Sequence, residues 1–104
     1  MSPTARSLAL LREHGWLADV CERWVPKANV RKDLFGIADI VAARPEYTEV
    51  MLIQTTTKSN MSARVKKINA HENTQILRDS GFQINVHGWY KEGGKWKVRI
   101  EDLS

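Results

Sequence analysis

Cysteine, proline and long apolar runs are all scarce in this chain of 104 residues. Cys21 is the single cysteine, so no intramolecular disulfide can form and no cysteine cage can hold a metal. A buried structural thiol is the role expected of it. The longest apolar runs, Ile37 to Ala43 interrupted by Asp39 and then Val50 to Ile53, fall far short of the roughly 20 residues a membrane helix needs. No segment is expected to span a bilayer. Near the amino terminus Arg12, Glu13 and His14 break the apolar stretch before it reaches signal-peptide length, so the expected location is the cytosol in which the chain is made. Pro3, Pro26 and Pro45 fall at segment boundaries rather than inside patterned stretches.

Hydrophobic residues make up 42% and charged residues 27%, the balance of a chain that packs a core rather than one that stays disordered. The length suits one folding unit over residues 1–104 and is too short for two. Sixteen Lys and Arg against twelve Asp and Glu give a formal charge of +4, which favours polyanions as partners. No internal repeat, low-complexity segment or linker interrupts the chain.

Ser2-Pro3 reads as an N-cap and first helical proline ahead of a helix over Thr4 to His14, with Ala5, Leu8 and Leu11 on one face and Gly15 ending it. The alternation from Trp16 to Val25 predicts a first strand, closed by Pro26. Lys27 to Leu34 reads as an exposed basic loop that connects rather than packs. Phe35 to Ala43 and Glu49 to Thr57 predict a second and third strand, buried and paired as a hairpin around Pro45 to Thr48. Met61, Val65 and Ile68 recur at helical spacing behind Asn60 or Ser62, with a break near His71 to Thr74, a continuation at Ile76 and Leu77, and a stop at Gly81. Phe82, Ile84 and Val86 then alternate with Gln83, Asn85 and His87, and Trp96, Val98 and Ile100 with Lys95, Lys97 and Arg99, across Gly93-Gly94 as a terminal hairpin. The fold class expected is α/β, an open mixed sheet with helices on its faces.

One feature stands apart. Asp39 is an acid inside an apolar strand, and an unpaired carboxylate there costs several kcal/mol. It must pair with a cation such as Arg31, Lys58 or Arg64, open into a cleft, or hold a metal. Gly36-Ile37-Ala38-Asp39 followed by Leu52-Ile53-Gln54-Thr55-Thr56 resembles the paired-strand signature of the PD-(D/E)XK nucleases. The wider stretch from Arg31 to Asp39, with Gln54 and then Ser59 to Ile68, is similar to small phage and prophage proteins related to Holliday-junction resolvases and VRR-type nucleases.

The resemblance implies a restriction-endonuclease-like αβββαβ core with the carboxy-terminal hairpin appended. It also implies a divalent ion, Mg²⁺ or Mn²⁺, held by Asp39 and the next strand's acid, with a lysine that orients water for phosphodiester hydrolysis. Gln54 stands where that acid belongs and Thr56 where the lysine belongs. Lys58 projects to the same side as Gln54 and Thr56 and is the expected substitute, with Arg64 or Lys67 as others. Glu13 and Glu22 are the candidate supplementary ligands. The residues expected to contact DNA are Lys27, Arg31, Lys32, Arg64 and Lys67, while Lys95, Lys97 and Arg99 form a further basic face. Against this stand the bland readings: Gln54 as a plain hydrogen-bonding residue, Lys58 as solvated, His71 as a surface helix residue, and Trp24, Trp89 and Trp96 as packing. The rival functions are a nuclease-fold module that binds nucleic acid or protein without cutting, and a structural or inhibitory homodimer built on Trp89, Tyr90 and Trp96.

Overall fold

The computed structural model describes all residues, 1–104. The first helix, α1 (Pro3–Glu13), starts where Ser2 Oγ accepts the Ala5 N–H at 3.1 Å and ends before Gly15. It buries Ser7 and Leu11 and half-buries Leu8. Strand β1 (Leu17–Val20) follows and pairs antiparallel with β4 (Ile40–Ala43), which pairs antiparallel with β5 (Met51–Thr57). A 3-10 turn (Lys58–Asn60) leads into α2 (Met61–Ala70) and α3 (Glu72–Asp79). These return the chain so that β6 (Gln83–Glu92) runs parallel to β5, the geometry that a helical crossover permits. The last strand, β7 (Lys95–Asp102), turns back at Gly93-Gly94 to form the expected hairpin.

The result is a mixed five-stranded sheet in the order β1-β4-β5-β6-β7 with helices on both faces. One core lies under α2 and α3 around Ile37, Leu52, Met61, Ile68, Leu77 and Ile84; the other lies under α1 around Leu11, Ala18, Ile40 and Ile53. No helix is long and apolar enough to cross a membrane.

Two strand expectations change. The segment Trp16 to Val25 is not one strand. It breaks at Cys21 and Glu22, after which β2 (Arg23–Val25) leaves the sheet and pairs with β3 (Val30–Lys32) as a separate exposed ribbon. The basic loop therefore contains a strand, and it is exposed as expected from Lys27 to Lys32, whereas Asp33 and Leu34 are half-buried and Leu34 packs against the core. The strand expected over Phe35 to Ala43 is regular only from Ile40, because Phe35 (φ 57°) and Gly36 (φ 75°) are both left-handed and fold residues 33–38 into a tight turn. The expected helix break is at His71, whose extended backbone (ψ 134°) separates α2 from α3.

Candidate functional site

Asp39 sits at the mouth of β4, held from both sides. Its carbonyl accepts the Cys21 N–H at 2.8 Å, and its own N–H donates to Ile53 O at 2.9 Å. Ile40 is also the register partner of Ile53, so two successive residues face one, as in a β-bulge. Such a distortion re-aims a side chain, and here it brings the carboxylate over the next strand. Asp39 Oδ2 accepts from the Thr55 N–H at 2.8 Å and from Thr55 Oγ1 at 3.1 Å. Thr55 thereby spends its only hydroxyl proton, so Thr4 of α1, 2.7 Å away, is the donor in the Thr4–Thr55 bond.

Two further acids converge here. One carboxylate oxygen each from Glu22, Asp33 and Asp39 lie within 4.8 Å of one another. Asp39 is 6% exposed, and its carboxyl is pushed up to about 7 by burial, then by its hydrogen bond with the Asp33 carboxyl, against the opposing pull of the Thr55 N–H. Carboxylates this close hold a proton between them or need a cation. The cation that pairs with the cluster is Arg31, whose Nη1 donates to Glu22 Oε1 at 3.0 Å. Half-buried Cys21 is pushed up to about 11, by its own burial and then by Asp39 and Asp33, and its Sγ donates to Ala38 O at 3.5 Å. It stays a thiol.

The donor set is all oxygen, the preference of Mg²⁺, Mn²⁺ and Ca²⁺. Oxygens on opposite sides of such an ion lie about 4–5 Å apart, given metal–oxygen bonds of ~2.1–2.5 Å, so the spacing of the three acids fits one ion.

The expected site residues divide. Gln54, 2% exposed, lies beside the cluster, but the group it offers is a donor: Nε2 bonds Asp33 Oδ2 at 3.0 Å and Ile37 O at 2.6 Å. Lys58 lies past the end of β5 with Nζ 4.3 Å from the centre of the Tyr90 ring. Glu22 joins the cluster. Glu13 is exposed in the last turn of α1, by the opposite end of β1, and is not one of the three. Asp33 was missed because it falls in the segment read as a connecting loop. The signal available was a second acid only six positions before Asp39, with Gly36 between them to turn the chain back.

Beside the carboxylates opens a cleft of about 460 Å³ lined by Arg31, Lys32, Asp33, Lys67, His71 and Asn73, among others. Its shape depends on Gly36, where a Cβ would stand 2.6 Å from His71 Nε2. His71 caps α3 by accepting the Asn73 N–H on Nδ1 at 3.1 Å, so the proton of its neutral ring is on Nε2. Asn73 Nδ2 in turn holds Phe35 O at 2.9 Å. The fold thus gathers Arg31, Lys32 and Lys67 at one rim. Arg64 lies one turn before Lys67 on α2, and Lys27 sits in the exposed turn of the β2–β3 ribbon; neither lines the cleft.

A second polar cluster lies under α1. Trp89 Nε1 donates to Ser7 Oγ at 2.8 Å, and the same hydroxyl bonds His87 Nδ1, also at 2.8 Å. Ser7 is 0% exposed, so this serine–histidine pair meets no substrate. Burial pushes His87 down to about 4. Among the tryptophans expected to pack, Trp89 does so, whereas Trp24 and Trp96 are exposed. No protein-family model matches the chain, and no curated protein and no solved structure matches it.

Proposed function

We propose that this chain is a metal-dependent nuclease-like domain acting on DNA, with branched DNA among its candidate substrates. The observation that carries the reading is the meeting of three carboxylates at a distorted strand start, next to a cleft rimmed by Arg31, Lys32 and Lys67. The element order α1, β1, β4, β5, α2–α3, β6 supports it, since it resembles the αβββαβ core of restriction-endonuclease-like proteins with the β2–β3 ribbon inserted after the first strand. Asp39 corresponds to that core's first acid.

In this reading Asp39, Asp33 and Glu22 hold Mg²⁺ or Mn²⁺, and the bound ion would offset charge on the phosphate and lower the pKa of a water. Gln54 orients Asp33 through its amide. Arg31 aligns Glu22, and Lys32 and Lys67 take phosphate oxygens of the backbone. Thr55 and Thr4 fix the Asp39 carboxylate so that little reorganisation is needed when the ion binds. The water-orienting role expected of Lys58 passes to the cations of the cleft, because Lys58 lies on Tyr90.

That displacement, with the donor face of Gln54 turned to Asp33, favours one second reading: a module that binds DNA without cutting it. Purified protein incubated with single-stranded, duplex and four-way-junction DNA in Mn²⁺ or Mg²⁺ decides between the two. Cleavage that EDTA and Asp39→Asn both abolish, with binding retained, is the expected result. Absence of cleavage on every substrate leaves the binding module.

A further inference from the structure

At the far end of β5 the sheet carries a second surface that the acidic cleft does not use. Gly88 of β6 makes it possible: a Cβ there would lie 2.6 Å from Met61 Sδ and 3.2 Å from Lys58 Cα, so the Lys58–Asn60 turn rests directly on the strand. Lys58 is thereby laid over Tyr90. On the neighbouring strand Trp96 is 47% exposed, with the Arg6 guanidinium 3.6 Å from its ring centre and Lys91 Nζ at 5.9 Å. Between them runs an open groove of about 560 Å³, whose lining includes Thr57, Lys58, Ser59, Tyr90, Lys91 and Trp96 and contains no acid. Arg6, Lys58 and Lys91 have no carboxylate partner, whereas Arg12, Arg31, Arg44 and Lys97 each have one.

One exposed indole, Trp96, beside cations that have no carboxylate partner matches one ligand chemistry, a flexible polyanion that also carries flat rings. We infer that this groove binds an unpaired DNA segment, with phosphates on Lys58 and Lys91 and a base on Trp96. Duplex DNA does not fit the same surface, because its bases are stacked on each other and present only edges and backbone. Thr57, at the groove, is three residues beyond Gln54, about 10 Å along the strand but on the opposite face of the sheet, so a DNA strand that engages both sites must bend around the end of the sheet. The inference rests on the proposed function in taking DNA as the ligand, and it deepens that proposal by requiring a single-stranded part in the substrate.

The test is fluorescence anisotropy of a labelled deoxythymidine 12-mer, its duplex and a uridine 12-mer, with the full chain in metal-free buffer, so that no cleavage intervenes. The single-stranded DNA is expected to bind more tightly than the duplex. Trp96→Ala is expected to weaken it about tenfold or more, as loss of one stacked base does, while Trp96→Phe keeps most of the affinity. Lys58→Ala with Lys91→Ala should flatten the salt dependence by nearly two charges. Trp96→Ala within twofold of wild type, or a preference for the duplex, overturns the inference, and tighter uridine binding overturns the choice of DNA. Loss of duplex binding in Lys32→Ala with Lys67→Ala tests the cleft independently. A cleft that responds while Trp96 does not leaves the proposed function standing, and a protein that binds none of the probes overturns both.

Discussion

Asp39 and His87 are both buried titratable side chains, tied to α1 through a hydroxyl and separated by a single residue position in the sheet: Thr55, which bonds Asp39, is the register partner of His87. Burial pushes each toward its neutral form, Asp39 up to about 7 and His87 down to about 4. Their surroundings differ in kind. His87 faces Ser7 and Trp89 in a chain of matched donors and acceptors with no charge nearby to stabilise an imidazolium. Asp39 faces two more acids, beside a cleft whose lining carries Arg31, Lys32 and Lys67 together with Asp33 and Glu72. Neutrality completes the first centre, whereas in the second Asp39 is raised partly by its hydrogen bond with the Asp33 carboxyl. Raised or lowered acidity alone does not distinguish a working site from a structural one; the charge and accessibility of the neighbours do.

Breaking the closed centre should produce the largest effect. Ser7→Ala leaves Trp89 Nε1 and His87 Nδ1 without a partner, and two buried groups at ~1–3 kcal/mol each predict a loss of roughly 4 kcal/mol in urea unfolding.

The pH dependence of stability comes next, and the two centres act with opposite sign. His87, lowered from 6.5 to about 4, contributes stability that is present above its unfolded value and lost as pH falls through the folded one. Asp39, raised from 3.8 to about 7, contributes stability that is full below its unfolded value and lost as pH rises through the folded one. Between pH 4 and 6.5 the two nearly cancel in the wild type. Asp39→Asn keeps the neutral shape and both Thr55 bonds and removes only the second titration, so its stability should rise by about 3 kcal/mol across that window, at ~1.4 kcal/mol per pH unit. Unfolding curves at several pH values check this; a parallel pair of profiles for wild type and variant would break the comparison.

Gln54→Glu sharpens the open side. The change removes the donors to Asp33 and Ile37 O and adds a fourth carboxylate, so in EDTA it should cost about 2 kcal/mol, with Mn²⁺ restoring more stability to the variant than it adds to the wild type. Glu13→Gln, exposed and away from the cluster, should change neither stability nor metal response by more than ~0.5 kcal/mol.

Much of this arrangement was legible in the sequence. Near-continuous apolar runs marked β4 and β5, which are packed on both faces, and helical spacing marked α2 and α3, so most of the element order could be read. Asp39 stood out because an acid in an apolar run needs a reason. Asp33 was hidden by its neighbours Arg31 and Lys32, and only the left-handed turn at Phe35 and Gly36 carries it back to Asp39. The β2–β3 ribbon was not legible because Arg23 to Val25 continues the alternation of β1 while burying little, and Val30 to Lys32 falls in the basic stretch read as a loop. His87 read as the outward member of an alternating strand; α1 covers that face, which local pattern does not report.

The central claim is that Asp33, Asp39 and Glu22 form a cation site whose place a proton takes in the absence of metal. Calorimetric titration of Mn²⁺ into the protein near pH 6, repeated in buffers of different ionisation enthalpy, measures ion and proton together. The account predicts one ion per chain with close to one proton released, and loss of both in Asp39→Asn. Saturable binding that is unchanged in Asp39→Asn, or no binding at all, would contradict it.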